Sequence, residues 1–252
     1  MPDTPVALFV TDEPDEVARG AAADVEEVMA RRPDAAVMFA VGESPLALYA
    51  ELAERWRTGT LDASRMRAVQ LDEYLGVAPD DERAFFRWLE RDVLAPLAIT
   101  PQRTIALRGD AADPDAECAR YDAAVAAAGG VDLAILGLGA NGHLGFNEPP
   151  SDPEAPTRVV ELLPESIEAN ARYWGGVERV PQQAITAGMR IVLAAREAIL
   201  VVSGEQKHRI LRRALEGPLT PDVPASYLRT LDSVRIYADR AAWDGVPAAP
   251  SA

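Results

Sequence analysis

Residues 131–148 read Val-Asp-Leu-Ala-Ile-Leu-Gly-Leu-Gly-Ala-Asn-Gly-His-Leu-Gly-Phe-Asn-Glu. The aliphatic run over 131–136 predicts a strand, and the glycines that follow at once predict a turn at its carboxyl end. Six further runs of this kind, at 6–10, 36–41, 66–71, 104–107, 198–202 and 234–238, are bounded by polar, Gly or Pro residues. Between the first two lies an amphipathic segment with Val17, Ala21, Val25 and Met29 spaced by four, framed by Pro14 and Pro33, as helix boundaries are. Helices are also predicted at 45–56, 81–93, 113–128 and 205–215. Strands alternating with helices predict an α/β fold: an open, doubly wound, mostly parallel sheet with helices on both faces. The expected organisation is a single Rossmann-like domain over 1–243. Its polar, Pro-rich loop at 149–156 would hinge a small lid running over about 150–181, and 244–252 would form a loose tail.

Open α/β sheets bind ligands beyond the carboxyl ends of their strands. Four polar segments occupy that position here. Gly42, Glu43 and Ser44 follow the second strand, and Asp72-Glu73-Tyr74 follows the third. The glycine-rich turn with Gly137, Gly139, Asn141 and His143 follows the fifth, and Gly204-Glu205-Gln206-Lys207 follows the sixth. One rim would thus gather a carboxylate, an imidazole, glycine-rich backbone and a cation.

Each segment also admits a plain structural reading. The 42–45 segment could be an ordinary helix start, with Ser44 as N-cap and Pro45 in the first turn. Its backbone N–H groups equally suit a phosphate, and Glu43 fits that use only if its carboxylate points outward. A carboxylate leaving an apolar strand is partly desolvated, which raises its pKa and suits a general base; Asp72 is the candidate and Glu73 the alternative. His143 is the group able to titrate near neutral pH, with Glu148 placed to orient or charge-balance it. Gly137, Gly139 and Gly142 match the dinucleotide-binding spacing formally, but His143 and the Phe-Asn-Glu-Pro run follow where a helix should begin. Arg172 and Lys207 are the candidate phosphate cations.

Composition narrows the function. The formal net charge is −15, with 25 Lys+Arg against 40 Asp+Glu, which argues against nucleic acid as a partner. Only one basic residue, Lys207, is lysine; the asparagines are Asn141, Asn147 and Asn170, and the histidines are His143 and His208. Five of these six rare residues fall in the segments discussed above and below. The single cysteine, Cys118, rules out an intrachain disulfide, and so few His and Cys residues argue against a metal site. No apolar stretch approaches the roughly 20 residues of a membrane span. The first residues lack a basic, cleavable leader pattern, so a cytoplasmic location is expected. Assembly into a homo-oligomer is left open.

At these residues the chain resembles the glucosamine-6-phosphate deaminase family, related to the 6-phosphogluconolactonases. The resemblance runs from about Leu8 to about Tyr237. Leu-Asp-Glu-Tyr at 71–74 is similar to the family's enolisation motif, and Asn-Gly-His-Leu-Gly-Phe-Asn-Glu-Pro at 141–149 to its ring-opening motif. Asn170-Ala171-Arg172, the Lys207 segment and Pro224-Ala225-Ser226-Tyr227-Leu228 resemble later deaminase segments. The resemblance implies an amino-sugar phosphate as small-molecule substrate, with no metal and no organic cofactor. His143, supported by Asn141 and Glu148, would open the ring. Asp72 would carry the C2 proton to C1, and Gly42, Glu43, Ser44, Gly137, Gly139, Arg172 and Lys207 would line the sugar and phosphate site. Several positions depart from the pattern. Position 141 is Asn where some members have Asp, and Val41 and Glu43 flank the phosphate turn. Gly188-Met189-Arg190 replaces a smaller run, and Glu82-Arg83-Ala84-Phe85 stands where a Ser-Tyr pair is common. Val160 occupies a position that is cationic in regulated members, so activation by an acetylated sugar phosphate is not expected. Rival readings are galactosamine-6-phosphate deamination, lactone hydrolysis and a sugar-phosphate sensor without turnover.

Overall fold

The structure, a computed structural model, describes residues 6–12 and 14–245. Along the chain lie β1 (Val6–Thr11), α1 (Pro14–Arg31), β2 (Ala36–Phe39), α2 (Leu46–Thr58), β3 (Arg67–Gln70), β4 (Asp72–Tyr74) and α3 (Phe85–Leu89). Then come β5 (Thr104–Ile105), α4 (Pro114–Ala127), β6 (Leu133–Gly137), β7 (Arg158–Glu161), α5 (Pro164–Trp174) and β8 (Gln183–Thr186). The remaining elements are α6 (Met189–Leu193), β9 (Glu197–Val202), α7 (His208–Glu216), β10 (Val234–Asp239) and α8 (Arg240–Asp244).

Seven strands form one sheet in the order β1-β10-β9-β6-β2-β3-β5, and every pairing in it is parallel. All seven sequence-predicted strands are in this sheet. Side chains alternate across it with the period of two that a strand imposes. Val37, Phe39, Leu133, Ile135 and Ile199 pack on one face with Val17, Val25, Leu48 and Leu52 of α1 and α2. Met38, Leu136 and Leu200 pack on the other with Tyr121 of α4 and Leu211 of α7. Burial on both faces explains why the central strands read as unbroken apolar runs.

The chain leaves β2 toward β3 on one side and leaves β6 toward β9 on the other, although β2 and β6 are neighbours. Loops after neighbouring strands that depart in opposite directions open a crevice at the sheet's carboxyl edge. The turn after β2 and the glycine-rich turn after β6 border that crevice. A Cβ built on Gly137 would come 3.7 Å from the Ser44 Cβ.

Three differences from the sequence expectations bear on the site. First, β4, β8 and β7 form a separate antiparallel sheet, so Asp72 does not end a strand of the main sheet but begins one of the small sheet. Strands of three and four residues are too short to show periodicity. Second, the helix expected over 81–93 begins at Phe85. The buried Glu73 carboxylate accepts the Phe85 N–H at 2.9 Å and the Phe86 N–H at 2.7 Å, which sets the start that Ala84, with no capping side chain, cannot. Third, Pro45 rather than Ser44 takes the N-cap position of α2, with no side-chain cap bond, so the Ser44 hydroxyl is not spent on capping. Of the expected tail, Asp244 closes α8, and 246–252 lie outside the described residues, as does the 1–5 segment.

Candidate active site

Two glycines shape the backbone around His143 and Asp72. A Cβ on Gly139 would lie 2.2 Å from the His143 ring, so the imidazole rests directly against that backbone. Gly145 adopts φ +59°, and a Cβ there would meet Asp72 Oδ2 at 3.0 Å and Leu71 at 2.9 Å. Only a residue without a side chain adopts that conformation there without crowding the carboxylate. The Gly139 N–H donates to the His143 carbonyl at 3.0 Å, closing the turn. Asn141 Oδ1 accepts the His143 backbone N–H at 3.2 Å. Asn141 therefore supports His143 through its main chain, not its ring.

Asp72 is buried, and its Oδ1 has no hydrogen-bond partner among the described residues. Burial, and then the charge of Glu73, push its pKa well above the usual carboxylate range, against the backbone N–H of Phe146, which lowers it. Glu73, next in the strand, points away from Asp72's side and accepts bonds from the N–H groups of Tyr74, Phe85 and Phe86 and from Gln70 Nε2. A carboxylate with four donors is occupied in holding structure. The strand end before it is pinned as well: Tyr121 donates to the Gln70 carbonyl at 2.5 Å and Gln70 Nε2 to the Asp72 carbonyl at 2.8 Å.

Burial, followed by the charge of Lys207, pushes the His143 imidazole down to about 4, so the ring is neutral near pH 7. Its Nδ1 has no hydrogen-bond partner among the described residues and lies 4.0 Å from Glu148 Oε1. Glu148 accepts the Leu163 N–H at 2.7 Å and the Ser166 hydroxyl, which ties the His143 loop to the start of α5. Asn147, fully buried, donates to the carbonyls of Leu144 and Ala187 and accepts from Arg158 at 2.8 Å. It knits the same loop to the small sheet.

Asp72, His143, Lys207, Gly137, Gly139 and the Gly42–Ser44 turn all line one inner cavity of about 180 Å³. The four rim segments thus meet in one place. Lys207 is the half-buried cation there, its pKa lowered by burial. The inner cavity opens into an outer one of about 790 Å³, which Arg172 and Tyr173 of α5 and Asp239 also line.

Arg172 is placed differently from the sequence expectation. It lines only the outer cavity, and its guanidinium lies 2.8 Å from Glu43 Oε1. The Tyr173 hydroxyl donates to the same oxygen at 2.9 Å. These bonds, Tyr173's first, hold the Glu43 carboxyl below its usual pKa. Glu43 thus stands at the mouth, engaged with α5.

Sequence reasoning missed Asp239 and Tyr173. Both Asp239 carboxylate oxygens accept the Gly204 N–H, at 3.0 and 3.1 Å, and Oδ1 caps α8 through Ala242 N–H at 2.7 Å. Asp239 therefore braces the turn that carries Lys207. Its signal was available, because it stands at the carboxyl end of a predicted strand, as Asp72 does. His208 binds the Trp243 carbonyl through Nδ1 at 2.7 Å and also fastens the same turn to α8. Tyr173 carried no signal beyond its neighbour Arg172.

Known proteins resemble this chain over most of its length. The family model described as glucosamine-6-phosphate isomerases/6-phosphogluconolactonase matches residues 12–236. A protein of Rhodopirellula baltica named glucosamine-6-phosphate deaminase is 38% identical over 234 residues, covering 93% of each chain. A solved structure described as a monomeric glucosamine-6-phosphate deaminase superposes with a TM-score of 0.89 at 33% identity, over 94% of this chain and 98% of that one. A 6-phosphogluconolactonase from Trypanosoma brucei shares the fold, with a TM-score of 0.75 at 18% identity, over 96% and 98% of the two chains. With its buried carboxylate and neutral imidazole at the sheet's switch point, and relatives matching over nearly its whole length, this chain belongs to the family of glucosamine-6-phosphate isomerases and 6-phosphogluconolactonases.

Proposed function

We propose that this protein isomerises and deaminates glucosamine 6-phosphate, giving fructose 6-phosphate and ammonia. One observation carries the reading: a buried carboxylate of raised pKa and a neutral imidazole, each with an unpartnered polar atom, line one small cavity. Aldose-to-ketose conversion needs a base at C2 and a separate group for the ring and anomeric oxygens, and two environments supply both at one pH. His143, neutral near pH 7, takes the proton of the anomeric hydroxyl and returns one to the ring oxygen. Asp72 takes the C2 proton and delivers it to C1. Water adds to the resulting ketose imine, and ammonia leaves. The phosphate is held by Lys207, the Ser44 hydroxyl and the backbone N–H groups before α2, where the helix dipole favours an anion. The segment 150–181, whose α5 walls both cavities, serves as a lid over the bound sugar.

Lactone hydrolysis needs a single base to activate water, and leaves Asp72 or His143 without a task. The decisive assay offers glucosamine 6-phosphate, galactosamine 6-phosphate and 6-phosphogluconolactone side by side. Ammonia release from the glucosamine ester is the expected result. Release of 6-phosphogluconate alone would assign the rival chemistry, and binding of all three without turnover would make the protein a sensor.

Arg172, paired with Glu43 at the mouth, adds to the hold on the phosphate only once it leaves that carboxylate. An exposed ion pair of this kind is worth about 0.2–1 kcal/mol. Glu43→Ser should therefore lower KM for glucosamine 6-phosphate about 1.4- to fivefold, with kcat little changed and the gain shrinking as salt rises. A KM that does not move at any ionic strength would show that Arg172 takes no part in binding.

A further inference from the structure

Glu148 stands between His143 and α5, and its two oxygens face different partners. Oε2 accepts the Leu163 N–H at 2.7 Å. Oε1 accepts the Ser166 hydroxyl, and the same oxygen lies 4.0 Å from His143 Nδ1. That nitrogen is buried and has no hydrogen-bond partner among the described residues. A carboxylate oxygen has lone pairs for two donors, so the bond from Ser166 leaves Oε1 able to take a second one from the imidazole. Glu148 and Ser166 are 8% and 5% exposed, so solvent does not readily take over the hydroxyl's bond. Ser166 is itself held in the first turn of α5, where its carbonyl accepts Asn170 Nδ2 at 2.8 Å. Leu163, at the N-cap position of that helix, makes no side-chain cap bond. The Glu148 carboxylate takes the place of one, and the helix dipole favours its negative charge there.

We infer that Ser166 is a positioning residue for ring opening: its hydroxyl holds Glu148 Oε1 facing His143 Nδ1, so that the imidazole keeps its proton on Nδ1 and offers Nε2 to the sugar. The inference rests on the deaminase reading above. A neutral imidazole carries one N–H, and the partner of each nitrogen decides which of the two bears it. With a carboxylate oxygen fixed opposite Nδ1, the proton stays on that side. The Nε2 lone pair then takes the proton of the anomeric hydroxyl, and the imidazolium formed in that step turns its Nδ1–H toward Glu148. The Leu163 N–H fixes only Oε2, so without Ser166 the carboxylate can pivot and carry Oε1 away from the ring. Nothing would then select the tautomer, and part of the protein would present an N–H where a lone pair is needed. His208 supplies a reference inside the same molecule, because its bond to the Trp243 carbonyl at 2.7 Å requires a proton on Nδ1.

The test sets Ser166→Ala beside Ser166→Thr, which keeps a hydroxyl. Nitrogen-15 NMR of the two histidines near pH 7, without substrate, reads the tautomers directly. Both should be mainly Nδ1–H in the wild type and in Ser166→Thr. In Ser166→Ala the His143 signals alone should move to a mixture of the two forms. With glucosamine 6-phosphate, Ser166→Ala should lose about tenfold in kcat with KM within about threefold, and Ser166→Thr should stay within about threefold of wild type in both. The open-chain alditol 2-amino-2-deoxyglucitol 6-phosphate has no ring to open, and all three proteins should bind it within about threefold of one another. In a Glu148→Ala background, Ser166→Ala should cost no more than about a further twofold, because the serine acts through that carboxylate. A wild-type kcat in Ser166→Ala, an unmoved His143 tautomer, or an equal loss in both backgrounds would overturn the positioning role and leave the deaminase reading intact. So would a matching loss of alditol binding, which would make the serine a prop for the whole site. No ammonia from the wild type would overturn both.

Discussion

Asp72→Asn is expected to abolish exchange of the C2 proton while binding survives. The amide keeps the carboxylate's shape and can still accept the Phe146 N–H, but it takes no proton. Loss of a general base costs about 10²–10⁴-fold in rate, so kcat should fall by at least that much with KM within a few-fold. Solvent deuterium incorporation at C1 of the product reads the step directly; near-normal incorporation would place the base elsewhere. The wild-type pH profile carries a companion result. Asp72 acts only when ionised, and burial raises its pKa, so the acidic limb of kcat/KM should lie above the usual carboxylate range. The same shift bears on stability. With its folded-state pKa above the unfolded value of about 3.9, Asp72 favours the folded state at low pH, and that contribution is lost as pH rises through the folded pKa. Asparagine suffers no such loss. The inactive variant should thus melt higher than wild type at neutral pH, with the difference vanishing in acid, as expected where catalysis is built at the expense of stability.

Glu73→Ala should show the opposite pattern. Its carboxylate satisfies the N–H groups of Tyr74, Phe85 and Phe86 and an amide N–H of Gln70, with separations of 2.7–3.1 Å. Removing it strands several buried donors, each costing about 1–3 kcal/mol. Relief from burying the carboxylate, whose pKa is raised by desolvation, offsets part of this. A net loss of about 3 kcal/mol would lower Tm by roughly 6–12 °C in a chain of this size. Phe85 lines the inner cavity, and its ring packs against Tyr74 and Phe146 with centroids 4.8 and 5.5 Å away. Loosening the start of α3 should therefore raise KM as well. Exchange at C2 should persist in the folded fraction, because Asp72 remains. Thermal melting read beside deuterium incorporation separates the two carboxylates: a variant as stable as wild type but unable to exchange would make Glu73 the base.

Much of this was legible in the order of residues. The central strands of the main sheet announce themselves because burial on both faces demands apolar runs, and α1 because one buried face demands Val17, Ala21, Val25 and Met29 at helical spacing. Parallel pairing follows from the helices between them, and the place of the site follows from the carboxyl ends of the strands. The Asp72-Glu73 pair, His143, Lys207 and the 42–44 turn could be placed on one rim from their positions, since backbone direction carries them there.

What the order of residues left open was decided by contacts between segments far apart in the chain. Asp72 and Glu73 are equivalent on paper. They part company because alternation along β4 turns one into the cavity, and the N–H groups of Phe85 and Phe86, twelve and thirteen residues on from Glu73, claim the other. The small sheet was invisible because its strands are short and pair 158–161 and 72–74 with 183–186. Arg172 and Glu43 each suggested a tie to phosphate, yet they meet each other across 129 positions of sequence. Asp239 gained its part in the Lys207 turn only because β10 lies beside β9. A local pattern reports which face of an element is buried; the partner of a charged side chain depends on which distant segments the sheet brings within a few ångströms, and only the tertiary structure settles that.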